Sequence, residues 1–217
     1  EVHQRLAQYG DVVMNPLLEP WQPNELAEHL STATAMMGFM TDRVDAKLLE
    51  HAPQLKIVAC ALKGFDNYDV AACTQQGIWV SIVPDLLTEP TAELALGLAI
   101  ALGRHVRLGD QQLRTQAFEG WRAQFFGQGL HNSTAAVVGL GLVGQAIAQR
   151  LTGFDCKSLL SVDPQTSLPG ITPCTLAYAM MRADYVFVAV PLTTESLNLI
   201  DHSQLAGCKS GQLLINV

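Results

Sequence analysis

Charged residues are scarce in this 217-residue sequence. Asp, Glu, Lys and Arg make up 15% of it, and the formal net charge is −7. An acidic balance argues against nucleic acid or an anionic membrane as the partner, because both are held through clustered Lys and Arg. A small anionic substrate is not excluded, since it responds to the local field of its cleft. Long apolar runs are also missing. The most apolar stretch, Leu94 to Gly103, is bounded by Glu93 and Arg104 and has about half the ~20 residues that a bilayer-spanning helix needs. It reads as a buried helix. No secretory signal is visible. The five cysteines (Cys60, Cys73, Cys156, Cys174, Cys208) are odd in number and contain no C-x-x-C, which argues for reduced thiols in the cytoplasm and against a disulfide framework. The histidines have no metal-ligand spacing among themselves or with cysteine, so no metal site is expected. With 49% hydrophobic residues the chain has material for one large or two small cores.

The most informative motif is Gly139-x-Gly141-x-x-Gly144. It follows an apolar segment, Ala135–Val138, and leads into Gln145–Leu151, which has helical periodicity. That strand, glycine turn and helix are what a dinucleotide diphosphate needs. Gly139 permits the tight turn, Gly141 lets the diphosphate approach the backbone, and Gly144 lets helix and strand pack closely. Leu142 and Val143 lie between the glycines, at the helix N-terminus that faces the anion. The alternative is that the glycines serve close packing alone. Downstream, Ser158–Val162 reads as the next strand and Asp163 closes it. The interval from Gly144 suits the acid that accepts from a ribose 2′-hydroxyl and repels a 2′-phosphate, which predicts NAD over NADP. Asp163 as a simple turn cap before Pro164 is the other reading.

Residues 1–83 alternate helix and strand. Helices are expected at Val2–Tyr9, Pro23–Leu30, Val44–His51 and Asp69–Gln76. Strands are expected at Asp11–Met14, Ala35–Met40, Leu55–Leu62 and Ile78–Val83. Such alternation means a parallel sheet with helices on both faces. Beyond it come an N-cap at Thr88, a long helix from Thr91 to about Val106, a second helix over Leu108–Ala117, and an aromatic, glycine-rich segment from Phe118 to Gly129. After Asp163 a helix at Cys174–Met181, a strand at Asp184–Val190, a short helix at Ser203–Ala206 and a strand at Gln212–Val217 are expected. Pro191, at a strand end, is a candidate for the adenosine side of the cofactor, or a proline that merely ends the strand. The fold expected is α/β, with two doubly wound parallel-sheet domains. Residues 1–87 form a flavodoxin-like substrate domain, and 88–217 form a Rossmann NAD-binding domain with its linker helices. The lack of an initiator Met and the abrupt final strand suggest a fragment, with both domains incomplete.

The glycine loop, the helix before it and the turn Val190-Pro191-Leu192-Thr193 resemble the D-isomer-specific 2-hydroxyacid dehydrogenases, over essentially the whole chain. A narrower resemblance is to the phosphite (phosphonate) dehydrogenase branch of that family. It is carried by Ala61–Asp69, Val83–Thr88, Pro90–Leu94, Gly120-Trp121 and Gln124-Phe125. The resemblance implies NAD-dependent hydride transfer from phosphite, with the anion docked between the two domains. Phosphite is substantially a dianion and needs more than one cation nearby. Lys63 would supply one; otherwise it is a solvated surface lysine. By the same resemblance Met40, Leu62, Gly64 and Trp121 line the substrate site and Thr91 contacts the nicotinamide carboxamide. Met40 also suits core packing, and Trp121 a core or dimer interface. The family's catalytic arginine, glutamate and histidine would follow Val217. A homodimer is implied, with its interface between about Thr91 and Leu130. The alternatives are a D-2-hydroxyacid dehydrogenase acting on a carboxylate substrate, or a dinucleotide-binding module without turnover.

Overall fold

A computed structural model of the chain describes residues 2–115, 120–121 and 123–217. It divides into two compact units, one reaching Leu86 and the other running from Leu87 to Val217.

In the first unit α1 (Val2–Leu6) and α2 (Pro23–Leu30) precede β1 (Ala35–Gly38). Then come α3 (Ala46–Leu49), β2 (Ile57–Cys60), α4 (Val70–Gln75) and β3 (Trp79–Ser81). The strands form a parallel sheet in the order β1-β2-β3. Local chemistry sets the helix limits. Pro23 opens α2 with a preset φ. The carboxylates of Asp45 and Asp69 accept from the amides of Leu48 (3.0 Å) and Ala72 (2.9 Å), capping α3 and α4. Gly77, at φ +70°, turns the chain after α4. Leu30, Leu49, Val58 and Cys73 form the core around the central strand.

Two expectations fail here. Residues 11–16 form no strand. A strand exists only through a partner's ladder, and Asp11–Met14 pairs with none, leaving Val13 and Met14 exposed. The helix expected over Val44–His51 shrinks to α3, because Val44 joins Tyr68 in a parallel bridge instead.

The second unit begins with α5 (Thr88–Gly103) and α6 (Val106–Thr115), followed by β4 (Thr134–Val138) and α7 (Leu142–Leu151). A single 3₁₀ turn (Thr152–Phe154) leads to β5 (Ser158–Val162), β6 (Thr172–Pro173), α8 (Leu176–Arg182), β7 (Tyr185–Val188), α9 (His202–Ala206) and β8 (Leu213–Asn216). All five strands are parallel, in the order β6-β5-β4-β7-β8. Counted from β4 this is the 3-2-1-4-5 order of a dinucleotide-binding sheet. Helices cover both faces. Ala95 and Ala99 of α5 and Ile147 and Leu151 of α7 pack on Val137 and Phe187. On the other side Ala179 and Met180 of α8 pack on Ala136, Val138 and Val186. Burial on two faces is why β4 and β7 read as unbroken apolar runs. At the amino ends of the strands, the Asp184 carboxylate accepts from the Thr134 amide (2.8 Å) and from Lys209 Nζ (2.5 Å). Burial raises its pKa, but Lys209 and the Thr134 amide more than offset this and hold it below the usual carboxylate range.

Thr88 is not a cap. It is the first residue of α5, and its buried hydroxyl has no partner, while Leu87 holds the cap position and its carbonyl accepts from Thr91. The helix also ends at Gly103 rather than near Val106, because His105 takes φ +54° and breaks the spiral. Gly103 itself lies at a crowded place. A Cβ there would fall 2.2 Å from the Tyr185 hydroxyl, and one on Gly127 would fall 2.1 Å from Gly103 O. The Tyr185 hydroxyl donates to Gln128 O at 2.8 Å. The expected tail of the second helix at Gln116 and Ala117, and Phe118 and Glu119 of the aromatic segment, lie outside the described residues.

Ser161 is 1% exposed in the middle of β5, and its hydroxyl has no hydrogen-bond partner. An unsatisfied buried hydroxyl is destabilising. Ser161→Ala is therefore expected to raise unfolding stability by about 1 kcal/mol in a urea titration, because it removes the polar atom and leaves the strand intact.

Candidate functional site

The carboxyl end of β4 is where the second unit turns its backbone outward. Gly139 leaves the strand at φ +89°, a conformation that glycine alone adopts freely. A Cβ there would lie 2.7 Å from Ala189 O. Gly144, in the first turn of α7, is closed in from below: its Cβ would meet Gly139 O at 1.8 Å. Gly141 differs from both. It holds the cap position of α7, and a Cβ on it would meet nothing within 4 Å. One glycine is thus required for its φ and one for backbone contact, while the third faces open space where an approaching anion would sit. The amides that open α7, at Leu142 and Val143, have no acceptor within the helix. Leu142 is exposed and Val143 half-buried. This set of glycines and free amides fits a dinucleotide diphosphate on the geometry alone.

Asp163 follows β5 and reaches back to this turn. Its Oδ2 accepts from the Leu140 amide at 2.7 Å, and its Oδ1 accepts from the amides of Gln165 (2.9 Å) and Thr166 (2.7 Å). The Leu140 bond, aided by the other two against some desolvation, holds the carboxyl below its ordinary pKa. The opposite end of residue 140 is held as well, because Leu140 O accepts from Gln145 Nε2 at 2.8 Å. Leu140 and Gln145 were not singled out in the sequence. A polar residue directly after the third glycine was the available signal. Pro191 starts the exposed loop after β7. Ser196 closes that loop by accepting from the Thr193 amide (2.8 Å) and donating to Pro191 O. Thr91 lies half-buried in the first turn of α5, and its amide donates to Leu87 O at 3.0 Å. Trp121 is 84% exposed, which removes its core reading.

In the first unit, Met40 belongs to the loop after β1 and is 63% exposed, so it is not a core residue. Leu62, half-buried, and Lys63 and Gly64, both exposed, belong to the loop after β2. These loops leave the carboxyl ends of neighbouring parallel strands, where open α/β sheets place their ligands. The structure therefore groups Met40 with Leu62–Gly64 in one unit, and Gly139, Gly141, Gly144, Asp163 and Pro191 in the other. No described hydrogen bond joins Thr91 or Trp121 to either group. Among the described residues no three His, Cys, Asp or Glu side chains gather as metal ligands, and no helix is long and apolar enough to cross a membrane.

Residues 1–207 match the family model for the D-isomer specific 2-hydroxyacid dehydrogenase, catalytic domain. The chain belongs to this dehydrogenase family. It is 34% identical over 215 residues to a glyoxylate reductase of Pyrococcus furiosus, an alignment covering 92% of this chain and 64% of that protein. It is 35% identical over 216 residues to D-3-phosphoglycerate dehydrogenase of Mycobacterium bovis, covering 97% of this chain and 40% of that one. The TT0316 protein of Thermus thermophilus superposes on it with a TM-score of 0.90 at 30% identity, covering 99% of this chain and 69% of that structure. The chain spans less than two thirds of the length of these curated dehydrogenase relatives.

Proposed function

We propose that the protein carrying this chain is an NAD-dependent 2-oxoacid reductase that runs in reverse as a D-2-hydroxyacid dehydrogenase. NADH, held by the Gly139–Gly144 turn and Asp163, would supply a hydride to C2 of the oxoacid, whose oxygen would take up a proton to become the new hydroxyl. The observation that carries the reading is the turn from Gly139 to Gly144, in which Gly141 opens to solvent while Asp163 accepts from the amide of Leu140, the residue between Gly139 and Gly141. In this reading Gly141, Leu142 and Val143 take the diphosphate and Asp163 takes the adenosine ribose. Pro191 and Thr91 flank the dinucleotide. Met40, Leu62, Lys63, Gly64 and Trp121 serve the substrate. The resemblance to glyoxylate reductase favours a small carboxylate substrate over the phosphite expected from the sequence.

We further take the protein to be a homodimer of the cytoplasm. Its cysteines are all free. Helix α5 buries Ala92, Ala95 and Ala99, yet also exposes Leu94, Leu98 and Leu102. A helix apolar on all sides calls for a cover on the second side.

Phosphite remains the second reading, and Lys63 favours it: the side chain is exposed and makes no ion pair among the described residues. Absorbance at the NADH band separates the two. The full-length protein is expected to oxidise NADH with glyoxylate and to form none from NAD and phosphite. Lys63→Ala is expected to raise the glyoxylate KM roughly tenfold, about 1.4 kcal/mol for one partly solvated charged contact, with the NADH KM unchanged. Turnover of phosphite without turnover of glyoxylate would instead establish the second reading.

A further inference from the structure

The loops after β1 and β2 are fastened to each other by side chains to which the reading above gives no task. Phe39 O accepts from three donors: the Tyr68 hydroxyl (3.2 Å), Asn67 Nδ2 (3.1 Å) and the Asp42 amide (3.1 Å). Asn67 Nδ2 also donates to Asp42 O at 2.5 Å, and the Phe39 amide donates to Asp42 Oδ2 at 2.7 Å. The backbones are joined too, Val44 N to Asn67 O (3.1 Å) and Asp69 N to Val44 O (2.7 Å). The Tyr68 ring is 4% exposed, and room for its hydroxyl exists only because residue 38 is glycine: a Cβ on Gly38 would sit 2.4 Å from that oxygen. Burial, with Cys60 beside it, pushes the phenol above its ordinary pKa, so it stays a donor. The far side of the second loop is held as well, with Cys60 Sγ donating to Gly64 O (3.3 Å) and Val83 N to Leu62 O (3.0 Å).

We propose that Asn67 and Tyr68 are positioning residues, which lock the loop after β1 to the loop after β2 so that Met40 and Lys63-Gly64 meet one small carboxylate as a single rigid surface. The proposal rests on the substrate reading above. Neither residue touches the substrate. Both act through Phe39, directly before Met40, and Asp42, two positions after it, which together set where Met40 stands. A hydrophobic clamp would leave the loops free to slide. Donors from one loop converging on one carbonyl of the other fix both distance and direction.

The test uses the full-length protein with Asn67→Ala, with Tyr68→Phe, which keeps the ring and removes only the donor, and with Val58→Ala as a control. Val58 is 0% exposed in β2, outside both loops, so the control loosens the same core without removing any hydrogen bond between the loops. Asn67→Ala is expected to raise the glyoxylate KM at least tenfold and Tyr68→Phe about threefold, with kcat falling less and the NADH KM unchanged, since small misplacements act strongly on bound geometry. Val58→Ala should lower the melting temperature and leave the glyoxylate KM alone. Hydrogen exchange supplies a readout independent of activity: amides of Phe39–Val44 should exchange faster in both loop variants than in the control. If the wild type reduces no 2-oxoacid, the substrate reading fails, and exchange alone then decides the lock. A glyoxylate KM that moves no further than in Val58→Ala, or unaltered exchange over Phe39–Val44, overturns the proposal.

Discussion

Gly144→Ala is expected to remove dinucleotide binding and to destabilise the second unit together. The added methyl would have to occupy a point 1.8 Å from Gly139 O and 2.9 Å from Gly139 C. Both are backbone atoms of a residue whose amide is tied to Val162 O at 2.8 Å, so no side chain can swing aside to make room. Overpacking a rigid site costs about 1–3 kcal/mol and more where backbone must shift. We expect about 3 kcal/mol, or a fall in Tm of roughly 6–12 °C for a protein of this size. Relief would come only by moving α7 off β4, which drags Leu142 and Val143 with it, so NADH affinity should fall more than about 100-fold. Gly141→Ala is the informative companion. Nothing lies within 4 Å of its Cβ, so stability should hold to within about 0.5 kcal/mol while NADH affinity drops at least tenfold, because the methyl stands where the diphosphate must come. Thermal melts and calorimetric NADH titrations read both. Equal loss of stability in the two variants would show that the glycines are not divided as the geometry divides them.

The second large effect is expected at Asp163. In Asp163→Ala the amides of Leu140, Gln165 and Thr166 lose their shared acceptor. An ionised carboxylate offers about four acceptor positions; three are filled here, which leaves Oδ2 with room for one ribose hydroxyl. Loss of the charge also ends the repulsion of a 2′-phosphate. The ratio of NADH to NADPH affinity should therefore fall at least tenfold, accompanied by a loss of about 2 kcal/mol in stability. Because the folded carboxyl is held below its ordinary value, chiefly by the Leu140 amide, it stabilises the fold above the unfolded pKa of about 3.9. That contribution is lost as pH falls through the lower, folded value. The stability gap between wild type and Asp163→Ala should thus be level at neutral pH and close only in acid. An unchanged cofactor preference would mean that Asp163 serves the turn and not the ribose.

What the sequence disclosed follows from how locally each feature is determined. β5 was legible to the residue, and β4 nearly so, because each is a short segment with an apolar centre bounded by polar or turn residues. Asp11–Met14 carries the same signal, but strand formation depends on a neighbour that no local pattern reveals. The start of α5 was misplaced because threonine is a good cap in general, and here Thr88 turns inward. The glycine turn and Asp163 could be named from spacing alone. Their linkage through Leu140 could not, since it joins residues 23 positions apart. Asn67 and Tyr68 stood in plain view within the Ala61–Asp69 motif. Their role depends on Phe39, which is brought to them only by the pairing of β1 with β2.

The contact of Gly127 with Gly103 has a consequence for exchanging parts between related proteins. Two backbones cross there with no room for a methyl on either, directly over the Tyr185 hydroxyl. Positions 103, 127 and 185 therefore constrain one another sterically. A chimaera spliced between α5 and β4 takes position 103 from one parent and 185 from the other, so it packs only where both parents keep glycine at 103 and 127 and the same side chain at 185, however well the remaining interface is matched.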